Sequence, residues 1–363
     1  MSENKRILCI CNTYYQLILV LQIALTEPDK TVSVVISDHS AGAATVAQNL
    51  QSLDIFEKVY YVETKHLKAG TRSIADSLSL ALAIFFDRKN KIISISEVYD
   101  ELIIYNLDAF ARLVFSTLYA KNKKIAVSFM EESIFVYDNL NSISPTKTGT
   151  LQKLFLGESI ENKVSSFYCF NPSFYQGELK AISVPPVKAD SELTDVLKKV
   201  FEINESTEYR ESFIYCPSVY DSDYDKPIGE LELAKKIADL VGYDNLLVKV
   251  HPRDDAKRYI DQGFHVDKNS DKPWEVLQLS FDFSKKIMLT SLSSSAISLN
   301  FAMDNPPKTF FLYPLCDISG NEDAHRTVDG LMRLLHHPTL PLRSVFVAES
   351  VNDILDKTTD EIV

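Results

Sequence analysis

The sequence predicts a two-domain α/β protein built on doubly wound parallel sheets. Short apolar, β-branched runs alternate with amphipathic ones from the first residues onward, which is the βαβ pattern of a parallel sheet. The pattern breaks at Pro185-Pro186 and then restarts. A chain of 363 residues is too long for one ordinary domain and long enough for two, each with a core of its own.

The first half offers candidate strands at 6–11, 32–37, 58–62, 101–105, 124–129 and 166–170. Each is a short apolar run bounded by polar or turn-forming residues. Between the first two lies "CNTYYQLILVLQIAL", where Thr13 followed three residues later by Gln16 is a capping-box pattern. The helix then starts at Tyr14, its amide-rich end at the sheet's C-terminal edge. Asn12 and Thr13 either face a ligand there or only cap the helix. The segment "ISVPPVKADSELTD" (182–195) reads as a linker, because neither proline can join a sheet interior. Beyond it, strands are expected near 212–216, 246–250, 286–290 and 309–313. The domains are therefore 1–185 and 186–345, with 346–363 as a C-terminal helix. Two such halves outline an interdomain cleft, and ligands of open α/β sheets bind beyond the strands' carboxyl ends. Internal repeats, low-complexity tracts and a Gly-rich dinucleotide fingerprint are not seen in the sequence.

Composition narrows the function. Hydrophobic content of 45% with 24% charged residues is that of a soluble globular protein. Thirty-eight Lys plus Arg against 50 Asp plus Glu give −12, which argues against a nucleic-acid partner. An anionic substrate needs a local basic pocket. The five cysteines, Cys9, Cys11, Cys169, Cys216 and Cys316, sit in or beside apolar runs, as free thiols do in a reducing compartment. The Cys9–Cys11 pair lacks the second pair or nearby His that a zinc site needs. The N-terminus lacks the basic region, long apolar core and cleavage site of a signal peptide, and no 18-residue charge-free span reads as transmembrane. A cytoplasmic protein is expected.

Four stretches carry chemistry. In "LLVKVHPRDD" (246–255) an apolar strand delivers His251 at its tip, with Pro252 and Asp254 suited to the turn into a helix. Alone, His251 reads more plainly as a loop histidine. In "KKIAVSFMEESIFVYDN" a strand ends at Glu131 and Glu132, a pair that can supply a general base for an alcohol or simply form a solvated turn. In "FIYCPSVYDSDYDKP" the D-x-D spacing of Asp221, Asp223 and Asp225 suits a divalent cation, a turn, or a base. In "KIMLTSLSSSAISLNFAMDN" a strand runs into Ser291, Ser293, Ser294 and Ser295, then into a helical apolar pattern of Ala296, Ile297, Leu299, Phe301 and Ala302. Hydroxyls at a helix N-terminus make an anion site or ordinary caps. His251 at a neighbouring strand end favours the anion, a phosphate. A loop, "YVETKHLKAGTRS", brings together Lys65, His66, Lys68 and Arg72, as a patch for an acidic glycan or a membrane surface or, more plainly, as a solvated loop.

Together, "HPR" at a strand end, the acid pair after "SF", the "C-x-T-x-Y-Q-L" opening and the serine run resemble the bacterial sialyltransferases of glycosyltransferase family 52. The resemblance spans Cys11 to about Leu315. It implies a GT-B fold, two Rossmann-like domains facing a central cleft, with the acceptor on the N-terminal side and the nucleotide sugar on the C-terminal side. It implies CMP-sialic acid as donor, inversion, no metal or cofactor, and a galactoside-type acceptor of a capsule or lipooligosaccharide joined alpha-2,3. It maps His251 onto the histidine that meets the donor phosphate, with Arg253 beside it, and Ser293 and Ser294, with Ser295, onto the phosphate-binding hydroxyls. Glu275, in "DKPWEVL", matches an acid that holds the cytidine ribose. The acid pair is Asp-Asp-Gly or similar in relatives and Glu131-Glu132-Ser133 here, so the turn lacks its glycine. A catalytic Asp of relatives aligns with Asp221 or Asp223. Peripheral contact with the inner membrane face and a homodimer fit such an enzyme. Two other readings remain: a GT-B capsule enzyme with another nucleotide-activated donor, and a non-catalytic nucleotide- or glycan-binding protein.

Overall fold

The computed structural model describes residues 4–67, 80–85, 92–134, 136–140, 143–188, 191–251, 253–300, 302–303, 306–336 and 344–359. Lys68, Arg72, Pro252, Phe301 and the side chain of His66 lie outside the described residues. The chain divides into two compact units, each built around a parallel sheet, as the sequence predicts. Unit 1 holds Met1–Glu132, Asn139–Pro186 and Ser191–Phe201; unit 2 holds Ser133–Asp138, Val187–Asp190 and Glu202–Val363.

Unit 1 has strands β1 (Lys5–Cys11), β2 (Lys30–Ser37), β3 (Lys58–Val62), β4 (Glu101–Ile104), β5 (Ala126–Met130), β6 (Val164–Cys169) and β7 (Lys180–Ser183). Their order is β3-β2-β1-β4-β5-β6-β7. The chain winds from β1 through β2 to β3, then returns to β4 on the other flank of β1. The switch point between β1 and β4 is where an open sheet leaves a crevice for ligands. Helices α1 (Tyr14–Thr26), α2 (Ala43–Gln51), α3 (Ala109–Lys121), α4 (Lys147–Leu156) and α5 (Glu192–Val200) accompany the sheet. Every residue of α1 from Tyr15 to Ile23 is buried, which is why its sequence lacks a polar stripe. Gln22 uses its place there to hold the linker, donating from Nε2 to the carbonyls of Pro185 and Pro186 at 3.2 and 3.1 Å. Helix α5 lies beyond the prolines yet packs on unit 1. Its Leu193, Val196, Leu197 and Val200 are buried, Asn49 donates to the Val200 carbonyl at 2.9 Å, and Tyr14 meets Phe201 edge-on at 4.8 Å.

Unit 2 has strands β8 (Phe213–Cys216), β9 (Leu246–Val248), β10 (His265–Val266), β11 (Ile287–Thr290), β12 (Lys308–Phe311) and β13 (Val345–Val347), in the order β10-β9-β8-β11-β12-β13. Its switch point lies between β8 and β11. Helices α6 (Glu230–Val241), α7 (Trp274–Ser280), α8 (Glu322–Leu335) and α9 (Asn352–Thr359) belong to this unit. Tyr215, Leu233, Ile237, Val248, Tyr259, Leu289 and Phe310 form its core.

The cysteines are free, four of them buried in or at the ends of β1, β6 and β8, and Cys316 partly buried. Burial pushes the Cys216 and Cys316 thiols up to about 12. Among the described residues no helix is long and apolar enough to cross a membrane.

Candidate functional site

In unit 1 three parallel strands bring their ends together. Register pairs Cys9 with Ile103 and Ile103 with Ser128, so Asn12, Tyr105 and Glu132 follow the ends of β1, β4 and β5 side by side. The capping box expected at α1 is formed. Gln16 Oε1 accepts from the Asn12 and Thr13 amides at 2.7 and 3.2 Å, and the Gln16 amide donates to Thr13 Oγ1 at 3.3 Å. Thr13 is thus occupied as a cap. Asn12 is not: it is 7% exposed, its side chain hydrogen-bonds the Tyr105 hydroxyl, and its Oδ1 is buried without a hydrogen-bond partner. A buried amide oxygen in that state suits a donor from a ligand.

The two neighbouring glutamates differ. Glu131 is a brace: Oε1 accepts the Tyr15 hydroxyl at 2.6 Å and Oε2 the Phe170 amide at 2.9 Å, both buried. Glu132 is partly buried, and burial holds its carboxyl above the usual range. It lies close enough to Tyr105 to disfavour the phenolate. A carboxylate poised in this way is a better proton acceptor than an exposed one. Tyr105 itself was not singled out from the sequence, because the adjacency of β4 to β1 has no local sequence signal.

In unit 2 the ends of β9 and β11 flank β8, about 10 Å apart across two strand spacings. His251 follows β9, which ends at Val248 rather than 250. The Arg253 amide donates to His251 Nδ1 at 3.1 Å, so in the neutral ring the proton sits on Nε2. Burial, then the charges of Arg253 and Lys249, push the imidazole down to about 4, which keeps it neutral at pH 7. Lys249 is buried and donates to the Ser270 carbonyl at 2.9 Å.

The serine run follows β11 as expected, but among the described residues no α-helix directly follows it. A single 3₁₀ turn, Ser294–Ala296, and further turns stand there. Ser298 bonds back to the Ser294 carbonyl and Asn300 to the Pro307 carbonyl and Thr309, local bonds that compete with an α-helical ladder. The anion site at a helix N-terminus is therefore corrected to a set of hydroxyls. Ser293 and Ser295 share a hydrogen bond at 2.7 Å, and Ser294 is partly buried. Ser291 is buried with Ser218 around the Glu230 carboxylate at the start of α6. Glu275, in the first turn of α7, is raised by burial, and a Ser298 hydrogen bond and the Lys249 charge draw it back.

The D-x-D loop is divided. Asp221 caps α6: Oδ1 accepts the Ile228 and Gly229 amides at 2.8 and 3.0 Å, Oδ2 accepts the Glu230 amide at 2.8 Å, and Arg258 pairs with it at 2.9 Å. Asp223 pairs with the exposed Arg253 at 2.6 Å. Among the described residues no group of three or more His, Cys, Asp and Glu is placed to hold a metal ion.

A comparison with curated proteins finds no significant match. Among solved structures, UDP-N-acetylglucosamine 2-epimerase from Rickettsia bellii is 13% identical over 83% of this chain and 78% of its own, with a TM-score of 0.38. TcCGT1, solved in complex with UDP, is 12% identical over 97% and 89%, with a TM-score of 0.44. One family model spans most of the sequence, from the middle of β1 to the end of the serine turn, residues 7–296, and by that match the chain belongs to the alpha-2,8-polysialyltransferase (POLYST) family.

Proposed function

We propose that the chain is an inverting sialyltransferase that moves sialic acid from CMP-sialic acid to a hydroxyl of a capsule or lipooligosaccharide glycan, in the cytoplasm and without a metal ion. The observation that supports this reading is His251, neutral with Nδ1 occupied by the Arg253 amide, which puts the ring proton on Nε2. CMP departs as a phosphate monoester. The bond from the anomeric carbon to the phosphate oxygen breaks, its electron pair goes to that oxygen, and the Nε2–H and the hydroxyls of Ser293, Ser294 and Ser295 stabilise the charge. Glu275 accepts from the cytidine ribose. The acceptor hydroxyl attacks the opposite face of the anomeric carbon and gives its proton to Glu132. Glu132 is preferred because Glu131 and Asp221 are occupied within the fold and Asp223 faces Arg253. Asn12 Oδ1 accepts from an acceptor hydroxyl.

The acceptor expected from the sequence is a galactoside joined alpha-2,3. The family description favours a second acceptor, a sialyl terminus joined alpha-2,8. The test incubates the protein with CMP-sialic acid and each acceptor, with and without EDTA, and measures thermal shifts with CMP, UDP, CDP and GDP. A nucleotide at 100 times its dissociation constant stabilises by about 2.7 kcal/mol. We expect the largest shift with CMP and transfer that survives EDTA. Stronger stabilisation by UDP with magnesium would assign the chain another donor, and binding of CMP without transfer to either acceptor would make it a binding protein.

A further inference from the structure

Helix α4 is turned the opposite way from an ordinary surface helix, which buries its apolar stripe. Its buried positions are Gly149 and Gln152. Gly149 lies so close to Glu161 that a Cβ there would meet the carboxylate. Glu161 is paired with the buried Arg112 at 2.6 Å and accepts the hydroxyl of Thr146, the helix N-cap, at 2.6 Å. Gln152 donates to Ser116 Oγ at 2.9 Å and accepts the Ile160 amide at 3.1 Å. Polar bonds thus seat the helix. Leu151, Leu154 and Phe155 are spaced three and four apart on one face and are 44%, 72% and 49% exposed, the Phe155 ring resting against Phe85 with centroids 6.1 Å apart. Scattered exposed apolar residues are normal, but three on one helical face form a patch.

Among the described residues, lysines stand on and beside this helix. Lys147 and Lys153 stand exposed on the helix itself. The Lys163 ammonium reaches the Lys123 carbonyl at 3.1 Å, and that of Lys123 lies over the Tyr119 ring at 4.0 Å. Of the acids between 143 and 163, Glu161 is buried against Arg112 and Glu158 lies in the field of Lys163 and Lys153. A chain of net charge −12 therefore presents here an apolar ridge among lysines.

We propose that the outward face of α4 docks the protein on an anionic lipid bilayer, with Leu151, Leu154 and Phe155 entering the interface and the lysines meeting lipid phosphates. A polyanionic glycan would satisfy the lysines and leave the apolar side chains in water. A second copy on the same face would set lysines against lysines.

The test is co-sedimentation of the full chain with vesicles of phosphatidylcholine alone or of three parts phosphatidylcholine to one part phosphatidylglycerol. We expect binding to the anionic vesicles on the order of tenfold tighter or more. Leu151→Ser with Leu154→Ser, and separately Lys147→Glu with Lys153→Glu, should each weaken it by on the order of tenfold. All four side chains are exposed, so both variants should keep the wild-type melting temperature. If the double serine variant melts early, Leu154→Ser alone carries the apolar arm. Equal binding to both vesicle types, or wild-type binding by the variants, overturns the proposal. So does a wild-type dimer in the ultracentrifuge that the serine variant dissolves, which would give the face to a second copy.

Discussion

At the scale of single residues, Glu131 and Glu132 are adjacent carboxyls with opposite consequences for stability. Glu131→Gln takes the anion from the Tyr15 hydroxyl and the Phe170 amide and should destabilise by about 1–3 kcal/mol in urea titration at pH 7. Glu132 has a folded-state pKa raised above 4.5, so the stability it contributes below 4.5 is lost as pH rises through the folded value. Glu132→Gln should therefore stabilise the protein at pH 7 to 8, with the gain vanishing below pH 4.5, while transfer is lost and CMP binding kept. Destabilisation at pH 8 would make Glu132 a second brace. His251 has the reverse linkage, because its folded value near 4 lies below the unfolded 6.5. Stability rises with pH wherever the unfolded chain binds the extra proton, so the wild type should lose stability relative to His251→Gln as pH falls from 6.5 to 4. The same variant should lower turnover by roughly 10²- to 10⁴-fold if Nε2–H acts on the leaving phosphate. A folded variant with wild-type turnover would leave His251 a loop histidine.

At the scale of elements, the start of α6 hangs on one side chain. Asp221→Ala frees three backbone amides and Arg258 and should lower stability by about 2 kcal/mol or more, whereas Asp223→Ala, which leaves only the exposed Arg253, should change it by less than about 1 kcal/mol. Denaturation midpoints of the two variants check this ordering. The elements legible in the sequence were those with a local signature. The cap of α1 was legible because Thr13 and Gln16 contact each other directly, and the central strands because their apolar runs are long. Strand β10 has two residues and β13 three, too few to carry a period, and β7 begins on Lys180 at a sheet edge. The helix read after the serines failed for another reason. Ala296, Ile297, Leu299 and Ala302 are buried as the pattern requires, but side-chain bonds from Ser298 and Asn300 hold the backbone in tight turns. Tyr105 escaped notice because strand order, not sequence, sets it beside Asn12.

At the scale of the whole molecule, the two prolines mark a composition boundary that differs from the folding boundary. Helix α5 lies beyond them and still closes unit 1 over Tyr14 and Asn49. A fragment ending at 186 should therefore elute aggregated in size-exclusion chromatography, and one extended to 204 should elute as a compact monomer; equal behaviour would show α5 to be dispensable. The buried cysteines give the halves separate signals. Cys9, Cys11 and Cys169 belong to unit 1 and Cys216 to unit 2. Thiolates are scarce while Cys11 and Cys216 stay raised by burial. An alkylating reagent added for timed pulses thus becomes a pair of stopwatches in the unlabelled protein: mass gained on the first three residues times the opening of one half, and mass gained on Cys216 times the other.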